Sequence, residues 1–139
     1  MILITRATTN TVYATCTEKS VLTSPSYIFK FHSDTRKEYR YCSATDTSTY
    51  PERYQQFSIV ETTTPTALSN QVKLDISRSW KYYIYELTAA QLAAVTDFAT
   101  VDYDSLTLVE QGKVKVLDAS PTTKQTYTGN QSTFKEYGG

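Results

Sequence analysis

The stretch from 79 to 87, SWKYYIYEL, carries four aromatic residues in nine positions, with no Gly, Pro or Asn to interrupt it. A strand with one face on a core and the other in water alternates apolar and polar side chains. This stretch instead predicts a strand covered on both faces. One face comprises Trp80, Tyr82 and Ile84, and the other comprises Tyr83, Tyr85 and Leu87.

Protein or ligand could cover the second face. Tyrosine-rich faces stack on sugars or on nucleobases, but nucleobase binding also needs a cationic groove, and sugar platforms usually rely on more than one Trp. We favour cover by protein, with a partner sheet on one face and the short helix, the C-terminal tail or another subunit on the other.

Composition restricts the fold class. A chain of 139 residues suits one domain, and its many threonines, 12 tyrosines and only four glycines favour strands. Fourteen basic residues balance 14 acidic ones, so the charge predicts binding neither to nucleic acid nor to an anionic membrane. Short apolar-alternating runs bounded by polar clusters predict an all-β fold, an antiparallel sandwich or barrel.

Three local patterns refine this prediction. QVKLDIS (71–77) alternates with period two, which predicts a half-exposed strand that forms a hairpin with 79–87. Thr88 and Gln91 form a capping-box pair, which predicts a helix of two to three turns at about 88–98. Gln111 and Gly112 separate two alternating runs and predict a hairpin turn. The polar stretch 45–54 is predicted to be a loop.

The amino-acid composition of the chain changes after Asp118. Residues 119–139 carry isolated rings at Tyr127, Phe134 and Tyr137 in a polar background. Such a segment cannot bury enough apolar surface to offset its own ordering entropy. We therefore predict a β-sandwich domain at 1–118 and an extended arm at 119–139 that becomes ordered along a neighbour.

Few residues in the sequence suggest a catalytic or metal-binding site. His32, the single histidine, is predicted to face outward from its strand, and no Gly-rich phosphate loop is present. Asp102, Asp104 and Glu110 could form a calcium site or a glycosidase carboxylate pair, but a loop leading into a strand is favoured. We expect no enzyme activity, no catalytic residue, no cofactor and no metal site.

Cys16 and Cys42 are expected to be reduced small hydrophobes, with a disulfide as the alternative. The segment MILITRATTN has neither the basic start nor the apolar length of a signal peptide or membrane span, so we expect the protein to remain where it is made.

Two segments, W-K-Y-x-I-Y-E at 80–86 and L-V-E-x-G-x-x-x-V at 108–116, resemble a pattern in small virion proteins of tailed bacteriophages. The resemblance covers most of 1–117 and extends to auxiliary capsid proteins of the crAss-like phages. It implies an immunoglobulin-like β-sandwich that decorates or stabilises the capsid shell. The implied partners are the major capsid protein, other virion proteins or further copies of the chain, and the implied location is the virion, assembled in the host cytoplasm.

Within that role, aromatic side chains are the expected interface residues because they lose little entropy on burial. They are Tyr83, Tyr85, Tyr127, Phe134 and Tyr137. The alternative function is a glycan-binding module or a fibre or tail adaptor, which requires an aromatic platform open to solvent.

Overall fold

A computed structural model of the protein describes residues 1–75 and 79–118. This part of the chain contains eight strands, one short helix and two 3-10 turns. The strands span Ile2–Thr5 (β1), Thr9–Ala14 (β2), Ser26–Ser33 (β3), Glu38–Ala44 (β4), Gln55–Glu61 (β5), Gln71–Val72 (β6), Trp80–Leu87 (β7) and Thr107–Leu117 (β8). The helix spans Ala89–Ala93 (α1), and the 3-10 turns span Phe98–Thr100 and Tyr103–Ser105.

The strands form two sheets. The larger has the order β1-β8-β7-β3-β4, and the smaller has the order β2-β5-β6. The β1–β8 and β5–β6 pairs are parallel, and the remaining pairs are antiparallel. The all-β prediction is therefore confirmed, but the sheets are mixed rather than purely antiparallel.

The main core lies between the two sheets. Phe29 of the larger sheet meets Phe57 of the smaller sheet edge to face, with ring centroids 5.0 Å apart. Tyr27 makes a second edge-to-face contact with Phe57 at 5.1 Å. Such aromatic pairs contribute about 1 kcal/mol each beyond the area they bury. Trp80 is fully enclosed in this core, and its indole N–H donates to the carbonyl of Asp75 at 3.0 Å.

A second core covers the opposite face of β7. Ile28 and Leu87 pack there against Phe98 and Tyr103 of the two 3-10 turns, with Leu92 of α1 at the margin. The segment between β7 and β8 therefore provides a second cover, mainly through its two 3-10 turns, whereas the predicted cover by the short helix is limited to the partly buried Leu92. It explains why β7 carries large apolar side chains on both faces.

The predicted hairpin between 71–77 and 79–87 is wrong. Among the described residues 71–75, only Gln71–Val72 is a strand, and it pairs with β5, whereas β7 belongs to the other sheet. The strand ends because the next inward residue, Leu74, donates its backbone N–H to the Glu61 carboxylate at 3.1 Å rather than to a neighbouring strand.

The predicted helix exists but is shorter than expected. The capping box is confirmed, with the Thr88 hydroxyl accepting from the Gln91 N–H and the Gln91 side chain accepting from the Thr88 N–H. Helix α1 ends at Ala93 because Asp97 starts a separate 3-10 turn by accepting from the Ala99 N–H. Asp favours such caps over helix interiors.

The predicted turn at Gln111 and Gly112 is also wrong, since β8 continues through both residues. Gly112 is required for packing instead. The Tyr82 ring lies over it, and a Cβ atom at this position would be 2.8 Å from Tyr82 Cε1. The loop at 45–54 is confirmed. The predicted arm at 119–139 lies outside the described residues.

Candidate functional site

The predicted interface residues Tyr83 and Tyr85 project from the outer face of β7, and both are half-buried. Tyr85 packs on Tyr103 with centroids 4.9 Å apart, so part of its surface is already used within the chain. Tyr127, Phe134 and Tyr137 lie outside the described residues. Tyr83 and Tyr85 are thus placed near each other on one sheet face, with Tyr85 partly covered.

A stacked row of rings crosses the same sheet face, and sequence reasoning missed it. His32 stacks on Tyr39 at 4.7 Å, Tyr39 on Tyr41 at 6.4 Å, and Tyr41 on Tyr103 at 5.6 Å. The Lys30 ammonium lies 4.8 Å from the Tyr39 ring centroid and 5.2 Å from that of Tyr103. We call these five residues the aromatic row. In the sequence, the alternation of Tyr39 and Tyr41 was the signal that could have predicted two neighbouring rings of this row on one face of β4.

The row contains one lysine and no acidic residue. Tyrosine hydroxyls are protonated at neutral pH, and burial raises the pKa of Tyr41 and of Tyr103 still further above it. The Tyr103 hydroxyl donates to the Phe98 carbonyl at 2.6 Å. This bond ties the two 3-10 turns to each other and holds the ring in the row.

A groove opens at the end of the row, between β4, the loop before β6 and the start of the first 3-10 turn. Its volume of about 440 Å³ falls within the range of binding pockets. Tyr39 and Leu68 lie on its rim and are 46% and 45% exposed. We call it the Tyr39–Leu68 groove. Its lining also includes Arg40, Tyr41, Pro65, Thr66, Ala67, Gln71, Val72, Lys73, Thr96, Asp97 and Phe98.

Leu68 has an unusual backbone. Its φ is 56°, in the left-handed region that favours glycine. The loop is held in place by the Ser43 N–H, which donates to the Ser69 carbonyl at 2.9 Å, and by the Ser69 hydroxyl, which donates to the Thr66 carbonyl at 2.7 Å. A strained backbone thus presents an exposed apolar side chain at the groove, and such strain is concentrated at functional sites.

The other candidate residues form no reactive centre among the described residues. The Glu110 carboxylate accepts from the Thr15 N–H and hydroxyl at 3.2 and 3.0 Å, so it links β8 to the end of β2. His32 Nδ1 lies 3.3 Å from the Asp34 carboxylate beside the aromatic row. Within 1–75 and 79–118, no three His, Cys, Asp or Glu side chains are grouped as metal ligands would be.

Both cysteines are buried free thiols. Burial raises the pKa of Cys16 to about 12 and also raises that of Cys42. Since the thiolate is the nucleophile, we expect iodoacetamide at pH 8 to label both at least about a hundredfold more slowly in the folded protein than in urea. Mass spectrometry of quenched samples measures this. Equal rates in both conditions would contradict the burial of the thiols.

No helix in the described part of the chain has the length and apolar character needed to cross a bilayer. In comparisons with known proteins, no family model, curated protein or solved structure matches the chain.

Proposed function

We propose that this protein is a non-enzymatic structural component of a tailed-phage virion that decorates or stabilises the capsid shell by protein–protein contacts. Its partners are the major capsid protein or other virion proteins. Two things support the proposal: the resemblance of 80–86 and 108–116 to small virion proteins, and a surface suited to protein contact. The Tyr39–Leu68 groove is that surface.

The observation that carries this proposal is the exposed Leu68 side chain in a left-handed backbone. Leu68 is 45% exposed, and glycine would adopt the same left-handed backbone at lower conformational cost, so the leucine side chain is available to pack on a partner. Tyr39 on the same rim is a rigid ring of the kind that dominates protein interfaces. Together they favour docking of an apolar protein side chain.

Glycan binding, the alternative function, has weaker support. Trp80, the single Trp of the chain, is 1% exposed and is enclosed between the sheets, so it is not available to a sugar. At Tyr39, His32 and Lys30 already occupy part of the ring face on which a sugar would stack. Contact between the groove and protein therefore fits the geometry better.

We also propose that the fold is an immunoglobulin-like sandwich. We assign the immunoglobulin labels B, C, C′, E, F and G, in that order, to strands β2, β3, β4, β5, β7 and β8. The sheet order β8-β7-β3-β4 then reads G-F-C-C′, and β2 pairs with β5 as strand B pairs with strand E. The parallel β5–β6 pair and the free cysteines depart from the antibody pattern.

The test uses Leu68→Gly, a variant that should weaken binding without weakening the fold. Glycine accepts the left-handed backbone, so we expect stability to be unchanged or raised by up to about 1 kcal/mol. Saturable co-sedimentation with capsids of the source phage should weaken at least tenfold. Tyr39→Ser should weaken it similarly, whereas Val21→Ser, which removes another exposed apolar side chain, should not.

Co-sedimentation that is absent, or equally strong in all three variants, would contradict docking through this groove. Binding of the native protein to a glycan array, lost in Tyr39→Ser while capsids are ignored, would support the glycan-binding function in place of the structural one.

A further inference from the structure

The outer face of the larger sheet carries a group of lysines on β7 and β8. Lys81 and Lys113 lie directly opposite each other in the antiparallel register of these strands. Lys115 follows Lys113 by two positions, so it projects from the same face of the sheet. All three side chains are exposed. We call these three residues the lysine patch.

The lysine patch works against the stability of the sheet. Like charges directly opposite each other on neighbouring strands are destabilising. Neighbouring strands lie about 5 Å apart, and residues two positions apart on a strand lie about 7 Å apart, both within the Debye length at physiological salt. The Asp34 carboxylate lies 2.9 Å from the Lys81 ammonium, but an exposed ion pair contributes little. The three lysines and Asp34 together keep a net charge of +2.

Acidic residues on the same two strands are used on the opposite side of the sheet. Glu86, on the strand that carries Lys81, is 2% exposed and accepts from the Val21 N–H at 2.7 Å. Glu110, on β8, accepts from the Thr15 N–H at 3.2 Å. Both carboxylates therefore bond within the fold and do not face the lysine patch. A balanced total charge is thus compatible with a positive surface on β7 and β8.

Two parts of the protein itself are poor occupants of this surface. The side chains of residues 119–139 include two lysines and one glutamate, so they carry a net positive charge. A second copy that bound face to face would bring its own lysine patch against the first, and like charges repel. The occupant that fits the charge is therefore a different molecule that carries several negative groups.

Carboxylates fit the patch better than a nucleic acid does. Single-stranded nucleic acids bind by stacking their bases on open ring faces. Opposite Lys81 is His32, whose ring stacks on Tyr39 at 4.7 Å, and the Lys30 ammonium lies 4.8 Å from the same Tyr39 ring. Tyr83, the next outward residue of β7, is half-buried. The patch is also made of lysines, whereas arginine is the usual residue for bidentate contacts with phosphate.

We propose that the lysine patch binds an acidic segment of another protein, one with at least two Asp or Glu side chains spaced like the lysines. In an extended segment, side chains two residues apart lie about 7 Å from each other on one face, which matches the spacing of Lys113 and Lys115. Complementary charge also speeds the encounter of the two proteins. This inference does not depend on the proposed function, because it concerns the chemistry of the surface and not the identity of the partner.

The test measures binding of a fluorescent decaglutamate peptide to the full chain by fluorescence anisotropy in 20 mM NaCl. The double variant Lys113→Gln, Lys115→Gln should weaken binding at least fivefold. The control Lys19→Gln, Arg53→Gln also removes two exposed positive charges, but away from the patch, and should weaken binding less than twofold. Affinity of the native chain should fall at least tenfold between 20 and 200 mM NaCl, because salt screens exposed charges.

Two results in this experiment would overturn the proposal. One is failure of the native chain to bind the peptide in 20 mM NaCl. The other is an equal loss of affinity in both double variants, which would show that the peptide responds to the total charge of the protein and not to the lysine patch.

A nucleic-acid probe separates the two classes of anion. A decathymidine oligonucleotide with the same fluorophore should bind the native chain more weakly than decaglutamate does, because the neighbouring ring faces are already occupied. Tighter binding of the oligonucleotide would overturn the proposal and identify a nucleic acid as the occupant.

Thermal unfolding of the free protein gives an independent check. Lys113→Gln alone should leave the unfolding midpoint unchanged or raise it, since it removes the repulsion between Lys113 and Lys81. A lowered midpoint would show that the facing lysines support the fold, which would contradict their assignment to a partner.

Discussion

Replacing Glu61 by Gln should lower the free energy of unfolding by about 3 kcal/mol, although the two side chains have nearly the same shape. Glu61 is 2% exposed. Its two oxygens accept from the Ala7 N–H at 2.7 Å and from the Leu74 N–H at 3.1 Å. An amide has one acceptor oxygen, so one of these donors would face an NH₂ group and lose its partner.

The effect should be large because the carboxylate joins three parts of the fold. Glu61 lies at the end of β5. From there its carboxylate bonds to the β1–β2 turn, where Ala7 has a φ of 58°, and to the chain that follows β6. Urea unfolding monitored by Trp80 fluorescence measures the change. A loss below about 0.5 kcal/mol would show that these two bonds contribute little to stability.

Glu110→Gln is the matched control. Glu110 also accepts hydrogen bonds across the fold, but both of them, from the Thr15 N–H and hydroxyl, end on a single oxygen, and the residue is only half-buried. The amide oxygen of Gln can replace that oxygen. Stability should change by less than about 1 kcal/mol, so a comparable loss in both variants would implicate general loss of charge instead.

Gly112→Ala should destabilise the protein by about 2 kcal/mol, even though alanine is normally the better residue in a strand. The added methyl group would lie 2.8 Å from Tyr82 Cε1 and 3.1 Å from Cζ. Tyr82 is 5% exposed and sits in the main core, so its ring has little room to move. Thermal unfolding measures the loss.

A double-mutant cycle separates this clash from an effect of the backbone. Tyr82→Leu alone removes the ring and should be destabilising, but Gly112→Ala added to it should cost less than about 0.5 kcal/mol. If Gly112→Ala is equally harmful with and without the ring, then the glycine is needed for its backbone rather than for packing.

The sequence predicted features that depend on neighbouring residues. Alternation placed Trp80, Tyr82 and Ile84 on one face of β7, and the Thr88–Gln91 pair identified the start of α1. These signals are local because a side chain's face and a helix cap are set within a few residues.

Features that depend on distant residues were missed. The strand after Gln71 stops because Glu61 takes the Leu74 N–H, which no pattern within 71–77 indicates. Gly112 resembled a turn residue, yet its role depends on the Tyr82 ring from the adjacent strand. The Tyr39–Leu68 groove exists because the loop carrying Leu68 is bonded to the edge of β4 through Ser43 and Ser69. Each of these outcomes follows from a contact between elements far apart in sequence.

The parallel pairing of β1 with β8 also has a kinetic consequence. It joins the first and last described strands, with Ile2 opposite Val114 and Thr5 opposite Leu117. Closing so long a loop costs entropy before any pairing energy is gained, which slows folding. During synthesis, β1 remains an unpaired apolar segment until β8 has left the ribosome. The pairing of β1 with β8 therefore leaves β1 exposed to aggregation in the nascent chain until β8 has been synthesised.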